Sequence, residues 1–216
     1  MNTFFLDRLN SEPHALAFAG QSTPWPVALA DQSANPALDE ALHTHAAAAQ
    51  ALLYPVSAEL LATTGRPVDL FGFEPNPARL GAAAAASASV PGIALTQLGA
   101  LLDAAALGYN PAQAKPVAVL GHSQGVLAVH MVQAICEAGS IDAAAAKIDE
   151  ILAIATLIGV AGTRQARQLG LAARHGEATP MLSVKDITRA QVDALIERVD
   201  GARGPIAVAV TNSATH

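Results

Sequence analysis

The sequence predicts an α/β fold, and three observations carry that expectation. An apolar run, Pro116-Val117-Ala118-Val119-Leu120, leads directly into Gly121-His122-Ser123-Gln124-Gly125, and a helical pattern from Val126 to Glu137 follows. Alanine is abundant while aromatic residues make up only 4%, which favours closely packed helices on a sheet. After Pro180 the texture changes to strand, helix and strand, one βαβ half of a small α+β unit.

The pentapeptide around Ser123 is the organising feature. A buried strand, a Gly-x-Ser-x-Gly turn and a helix read as a nucleophile elbow of the kind found on hydrolase-like parallel sheets. Gly121 and Gly125 let the backbone turn without a clashing Cβ. The Ser123 hydroxyl then stands at the carboxyl end of a strand. The backbone amide of Gln124, at the helix N-terminus, faces any oxyanion forming there.

Taken in order, Asn2 to Asn10 predicts a short amphipathic helix with Phe5, Leu6 and Leu9 near one face, broken at Ser11-Glu12-Pro13. His14 to Ala19 predicts a short buried strand ending at Gly20-Gln21-Ser22, by itself a plain turn. Pro24-Trp25-Pro26 predicts a stiff extended segment. A long helix follows from Ala37 to Leu53, with Asn35 as N-cap and Pro36 in the first position. Val56 to Thr63 predicts a further helical piece, and Phe71 to Pro77 an aromatic loop over the core. Leu80 to Ser89 is left open, Pro91 interrupts, and Ile93 to Leu107 predicts a helix with Leu95, Leu98, Leu101 and Leu102 on one face. Gly108 to Pro111 ends it.

Beyond the turn, Gly139 ends the elbow helix and Ser140 caps the next, predicted over Ile141 to Gly162. Its apolar stripe comprises Ile148, Ile151, Leu152, Ala155 and Ile158, with Arg164 and Arg167 at or past its end. Gly170 to Thr179 predicts a polar loop. Met181 to Val184, Thr188 to Val199 and Pro205 to Thr211 predict the strand, helix and strand of the second unit. The expected organisation is therefore a core over residues 1–178 and a partial unit over 179–216.

Composition narrows the function classes. A 216-residue chain that is 52% hydrophobic and 14% charged forms a sizeable core rather than a disordered segment. The net charge of −6, with singly scattered basic residues, argues against nucleic acid and against anionic membrane surfaces. No apolar run in the sequence approaches a membrane span, and the N-terminus has no basic signal-peptide region. Cys136 is the single cysteine, which suits a reducing cytoplasm, and its apolar neighbours predict burial. His43 and His45 stand two apart on a helix, point different ways, and read as surface residues rather than metal ligands. No metal site is expected.

A serine nucleophile needs a base. His122 adjoins Ser123 but points away at such a turn, His130 lies two helical turns on, and neither His175 nor His216 is singled out by its setting. The residues alone leave the base unassigned.

The run Gly121 to Ala128 resembles the acyltransferase domains of fatty acid synthases, and most closely the N-terminal acetyltransferase domain of the bacterial type I enzyme. Ala17-Phe18-Ala19-Gly20-Gln21, Gly72-Phe73-Glu74-Pro75, Ser89-Val90-Pro91-Gly92 and Leu157-Ile158-Gly159-Val160-Ala161-Gly162-Thr163 agree in the same order. The resemblance spans nearly the whole chain. It implies that Ser123 accepts the acyl group and that the amides of Gln124 and Gln21 form the oxyanion hole. Ser22 stands where the family usually has a glycine.

Malonyl-transferring relatives hold the substrate carboxylate with an arginine at the position matching Ile158. An aliphatic residue there leaves that charge unpaired at a cost of several kcal/mol. The resemblance thus implies a neutral acetyl group, acetyl-CoA as donor, no bound cofactor, and the phosphopantetheine thiol of an acyl carrier protein as acceptor. It further implies a base downstream of His216, a ferredoxin-like second unit cut within this chain, and the remainder of a large homo-oligomeric synthase as partner. An α/β-hydrolase esterase using His175 or His216, and an inactive assembly fragment, are the alternatives.

Overall fold

The computed structural model describes residues 3–20, 25–53, 70–71, 86–168, 184, 186–199 and 208. The chain divides into two compact units, Met1–Ala178 and Thr179–His216. The helical piece at 56–63, most of the aromatic loop at 71–77, the polar loop at 170–179 and both strands expected in the second unit lie outside the described residues, the single positions 71, 184 and 208 apart.

In the first unit, helix α1 (Thr3–Ser11) leads to strand β1 (Ala15–Phe18), then to helices α2 (Trp25–Ser33) and α3 (Pro36–Leu53). Helix α4 (Ala86–Ala106) and the short α5 (Pro111–Ala114) precede strand β2 (Ala118–Gly121). A single 3₁₀ turn, Ser123–Gly125, then starts α6 (Val126–Ala138), and α7 (Ala145–Gln168) closes the unit. Strands β1 and β2 pair in parallel, Ala15 opposite Ala118 through Phe18 opposite Gly121. Parallel neighbours require a crossover, and α2 to α5 fall between them in sequence.

The core is helical. Helix α4 runs through its centre, with Ile93, Leu95 and Leu98 wholly buried against Leu42 of α3, Met131 and Ile135 of α6, and Ile148 and Leu152 of α7. It is long and apolar enough to cross a membrane by length and composition, contrary to the reading of the bare sequence. Yet 72% of its apolar window is buried inside the protein, as befits a central core helix.

Several expectations hold because local chemistry governs them. Asn35 caps α3, its Oδ1 accepting from the Ala37 amide at 3.2 Å, and Pro36 takes the first position. Gly139 ends α6 at φ 88°, where its amide donates to the Ile135 carbonyl at 2.8 Å. In the second unit, taken by itself, the helix expected over Thr188 to Val199 forms as α8 (Arg189–Val199), and the structure adds a reciprocal cap between Thr188 and Gln191 that the sequence reading did not name. The Thr188 amide donates to Gln191 Oε1 at 2.7 Å, and the Gln191 amide to Thr188 Oγ1 at 3.3 Å.

Others are corrected by packing. Trp25-Pro26 opens helix α2 instead of an extended segment, since proline is tolerated in a first turn. Pro91 does not interrupt α4 but lies inside it, buried early in the helix. A Cβ at the next residue, Gly92, would lie 2.5 Å from the Trp25 ring, so the indole packs directly on the α4 backbone. Ser140 accepts from the Ala143 amide at 3.2 Å but caps a preceding turn; α7 begins only at Ala145. Helix α7 then runs on to Gln168, which places Arg164 and Arg167 inside it.

Burial corrects four more. The strand before Ser123 was expected to be buried, but Val117 is 72% and Leu120 60% exposed. Strand β1 likewise alternates exposed and half-buried residues. Cys136 is exposed, since α6 turns Met131, Val132 and Ile135 inward and leaves position 136 facing out. His45 is not a surface residue: its side chain is only 12% exposed and its Nδ1 pairs with Asp149 Oδ1 at 2.7 Å, joining α3 to α7.

Candidate active site

Ser123 sits where β2 ends and α6 begins, exposed, with φ 53°. A non-glycine residue in the left-handed region costs about 1 kcal/mol or more, so the surrounding contacts must impose it. They are contacts of bare backbone. A Cβ at Gly121 would lie 2.5 Å from the Gly125 carbonyl oxygen, and one at Gly125 would strike the Phe18 carbonyl and lie 2.9 Å from that of Ala19. A Cβ at Gly20 would lie 2.7 Å from the His122 carbonyl oxygen and 2.8 Å from the Ser123 Cβ. Three glycines, Gly20, Gly121 and Gly125, thus bring the end of β1, the end of β2 and the start of α6 closer than any side chain allows.

Hydrogen bonds hold the same junction. The His122 amide donates to the Phe18 carbonyl at 3.0 Å, extending the β1–β2 ladder by one residue. The Gly125 amide donates to the His122 carbonyl at 2.9 Å and closes the turn. Gln124 is half-buried, its Oε1 buried without a hydrogen-bond partner among the described residues. His122 and His130 are both exposed.

Of the residues singled out in the sequence, Ser123, Gln124, Gly121, His122 and Gly125 share this one turn. Gln21 lies outside the described residues, as do His175 and His216, but its neighbour Gly20 is buried directly against the serine. Ile158 is corrected: it does not continue the buried stripe of α7 but is 51% exposed, beside exposed Ile154 and Leu157. Buried positions in that half of α7 are Ala155, Thr156, Gly159, Val160 and Thr163, because the stripe winds past Ile158 to meet the start of α4. There Gly159 packs on the Ala86 carbonyl, and Thr163 Oγ1 accepts from the Ser87 amide at 2.9 Å.

Sequence reasoning missed one polar residue at the junction. Gln97, on α4 and only 8% exposed, donates from Nε2 to the Ala19 carbonyl at 2.5 Å. A glutamine on a helix otherwise buried nearly all round was the available signal.

A serine presented on a left-handed turn between strand and helix is the arrangement through which many enzymes pass an acyl group as a serine ester. Residues 74–215 match the family described as "Starter unit:ACP transacylase in aflatoxin biosynthesis", and the chain belongs to that family. It is therefore an acyltransferase-type domain whose family acts with an acyl carrier protein. Comparisons with curated proteins and with solved structures gave no match. The matched span includes Ser123, α4 and Ile158, but begins after β1 and Gly20.

Proposed function

We propose that Ser123 is the acyl-accepting nucleophile of a nucleophile elbow on a hydrolase-like sheet, and that the domain loads acetyl onto an acyl carrier protein to prime a type I fatty acid synthase. The observation that carries this reading is Ser123 itself, exposed at φ 53° on a turn lined by three glycines.

In the first half-reaction, Ser123 Oγ attacks the thioester carbon of acetyl-CoA. Its proton passes to a general base, the carbon–sulfur bond breaks, and coenzyme A leaves as the thiol with that proton. In the second, the phosphopantetheine thiol of the carrier protein attacks the serine ester, its proton passes through the base to Ser123 Oγ, and the acetyl thioester departs. The backbone amides of Gln124 and Gln21 are the proposed donors to the oxyanion, each contributing through a dipole already in place. The base is assigned, on the family resemblance, to a histidine.

A neutral acyl group is favoured because residues 148–162 contain no arginine or lysine. Ile158, at the position that the resemblance matches to the malonate-binding arginine, carries no charge to pair a malonyl carboxylate. Intact-mass measurement after incubating the full polypeptide with acetyl-CoA tests the reading. A stable acetyl adduct that disappears in Ser123→Ala is expected. An adduct that survives that substitution, or continuous ester hydrolysis without transfer to the carrier protein, would sink it.

A further inference from the structure

We infer that Gln97 is a positioning residue for this acyl transfer: its side-chain amide sets the orientation of the peptide that presses against the nucleophile. The inference rests on the acyl-transfer reading above. The β1–β2 ladder ends when the His122 amide reaches the Phe18 carbonyl, because β2 then turns away into Ser123. The next carbonyl, that of Ala19 just past β1, points away from β2, because successive carbonyls alternate sides of a strand, and it takes its partner from elsewhere. Gln97 reaches across from α4 and donates to it at 2.5 Å.

The consequence is geometric. The Ala19–Gly20 peptide is trans, so its carbonyl and its amide point in opposite directions. Anchoring the carbonyl to α4 fixes the rotation of the whole peptide plane, and with it the path of Gly20. That path is tight, since Gly20 has no room even for a methyl group beside the Ser123 Cβ and the His122 carbonyl. Rotation of this plane would push Gly20 into the serine or withdraw it, and would redirect the chain entering Gln21.

The choice of residue supports the inference. Gln97 Oε1 is buried and has no hydrogen-bond partner among the described residues. A buried amide with one half unused is costly, and an isosteric apolar residue would suit the α4 core better on packing grounds alone. Its donor is therefore the property that matters here.

Gln97→Leu in the full polypeptide is the test, with Gln32→Leu as control. Gln32 is also a buried-edge glutamine whose Nε2 donates to a backbone carbonyl, that of Thr96 at 2.9 Å, but on the α2 side of α4. For Gln97→Leu, kcat for acetyl transfer should fall about tenfold with KM for acetyl-CoA essentially unchanged, as for loss of one buried hydrogen bond felt in the transition state. Gln32→Leu should keep the wild-type kcat. Equal loss in both variants, or a change confined to KM, overturns the proposal. Hydrogen exchange gives a readout independent of turnover: the Gly20 amide should exchange faster in Gln97→Leu and not in Gln32→Leu. Unchanged exchange overturns the proposal even if wild-type enzyme forms no Ser123 adduct, an outcome that would instead defeat the acyl-transfer reading.

Discussion

The helical core and the serine turn lie within one unit yet are built on opposite principles. Around α4, space is filled: Ile93, Leu95, Leu98, Met131, Ile148 and Leu152 are wholly buried and interlock through their side chains. Around Ser123, space is removed: Gly20, Gly121 and Gly125 meet carbonyls and amides where no Cβ fits. The core tolerates modest change in volume at a graded cost, while the turn tolerates no added atom without moving backbone. On the proposed function, stability and reactivity are thereby placed on different residues.

Gly125→Ala tests this most severely. The added methyl would be driven into the Phe18 carbonyl, so acylation of Ser123 should fall about a hundredfold, the scale of an ångström-level misplacement of reacting groups. Thermal unfolding should show a smaller change than any large core truncation. A variant with near-normal acylation but collapsed stability would reverse the comparison.

Leu98→Ala should do the opposite. Removal of a wholly buried side chain costs about 3 kcal/mol, measurable by denaturant titration, while the folded fraction keeps its rate of adduct formation. Ser123→Gly sharpens the point at the turn itself. Glycine accepts φ 53° freely, so this variant should gain about 1 kcal/mol of stability while losing the adduct altogether. No gain would mean that the left-handed turn stores no strain.

The smallest effect concerns Cys136, on the helix that joins the two regions. Partial desolvation by its neighbours raises the thiol above the ordinary range although the residue is exposed, and Glu137 adds to that in the same direction. A raised thiol carries less thiolate at neutral pH, so alkylation of Cys136 should be slow there and speed up as the solution is made alkaline. Acetyl adducts at neutral pH should accordingly map to Ser123 and not to this exposed thiol. Fast alkylation near pH 7 would remove the distinction.

How much of this was legible beforehand depends on the range of the forces involved. The strand–turn–helix at Ser123, the cap at Asn35 and the stop at Gly139 were all readable, because each is decided within a few residues by hydrogen bonds and backbone freedom. The start of α2 at Trp25 and the passage of α4 through Pro91 were not. Both depend on a contact between α2 and α4, where Trp25 lies on Gly92, and no local pattern reports it. Ile158 and Cys136 failed for a related reason: periodicity names a helix face but not how far along the helix a neighbour extends.

By itself, the amino-acid sequence determined that a serine would stand on a glycine-flanked turn between an apolar strand and a helix. Glycine spacing and apolar runs encode that locally. Only the tertiary structure decided that Gly20 closes against Ser123, that Gln97 anchors the peptide before it, and that Ile158 faces outward. Those outcomes require segments far apart in the sequence to meet, through the pairing of β1 with β2 and the packing of α4 in the core.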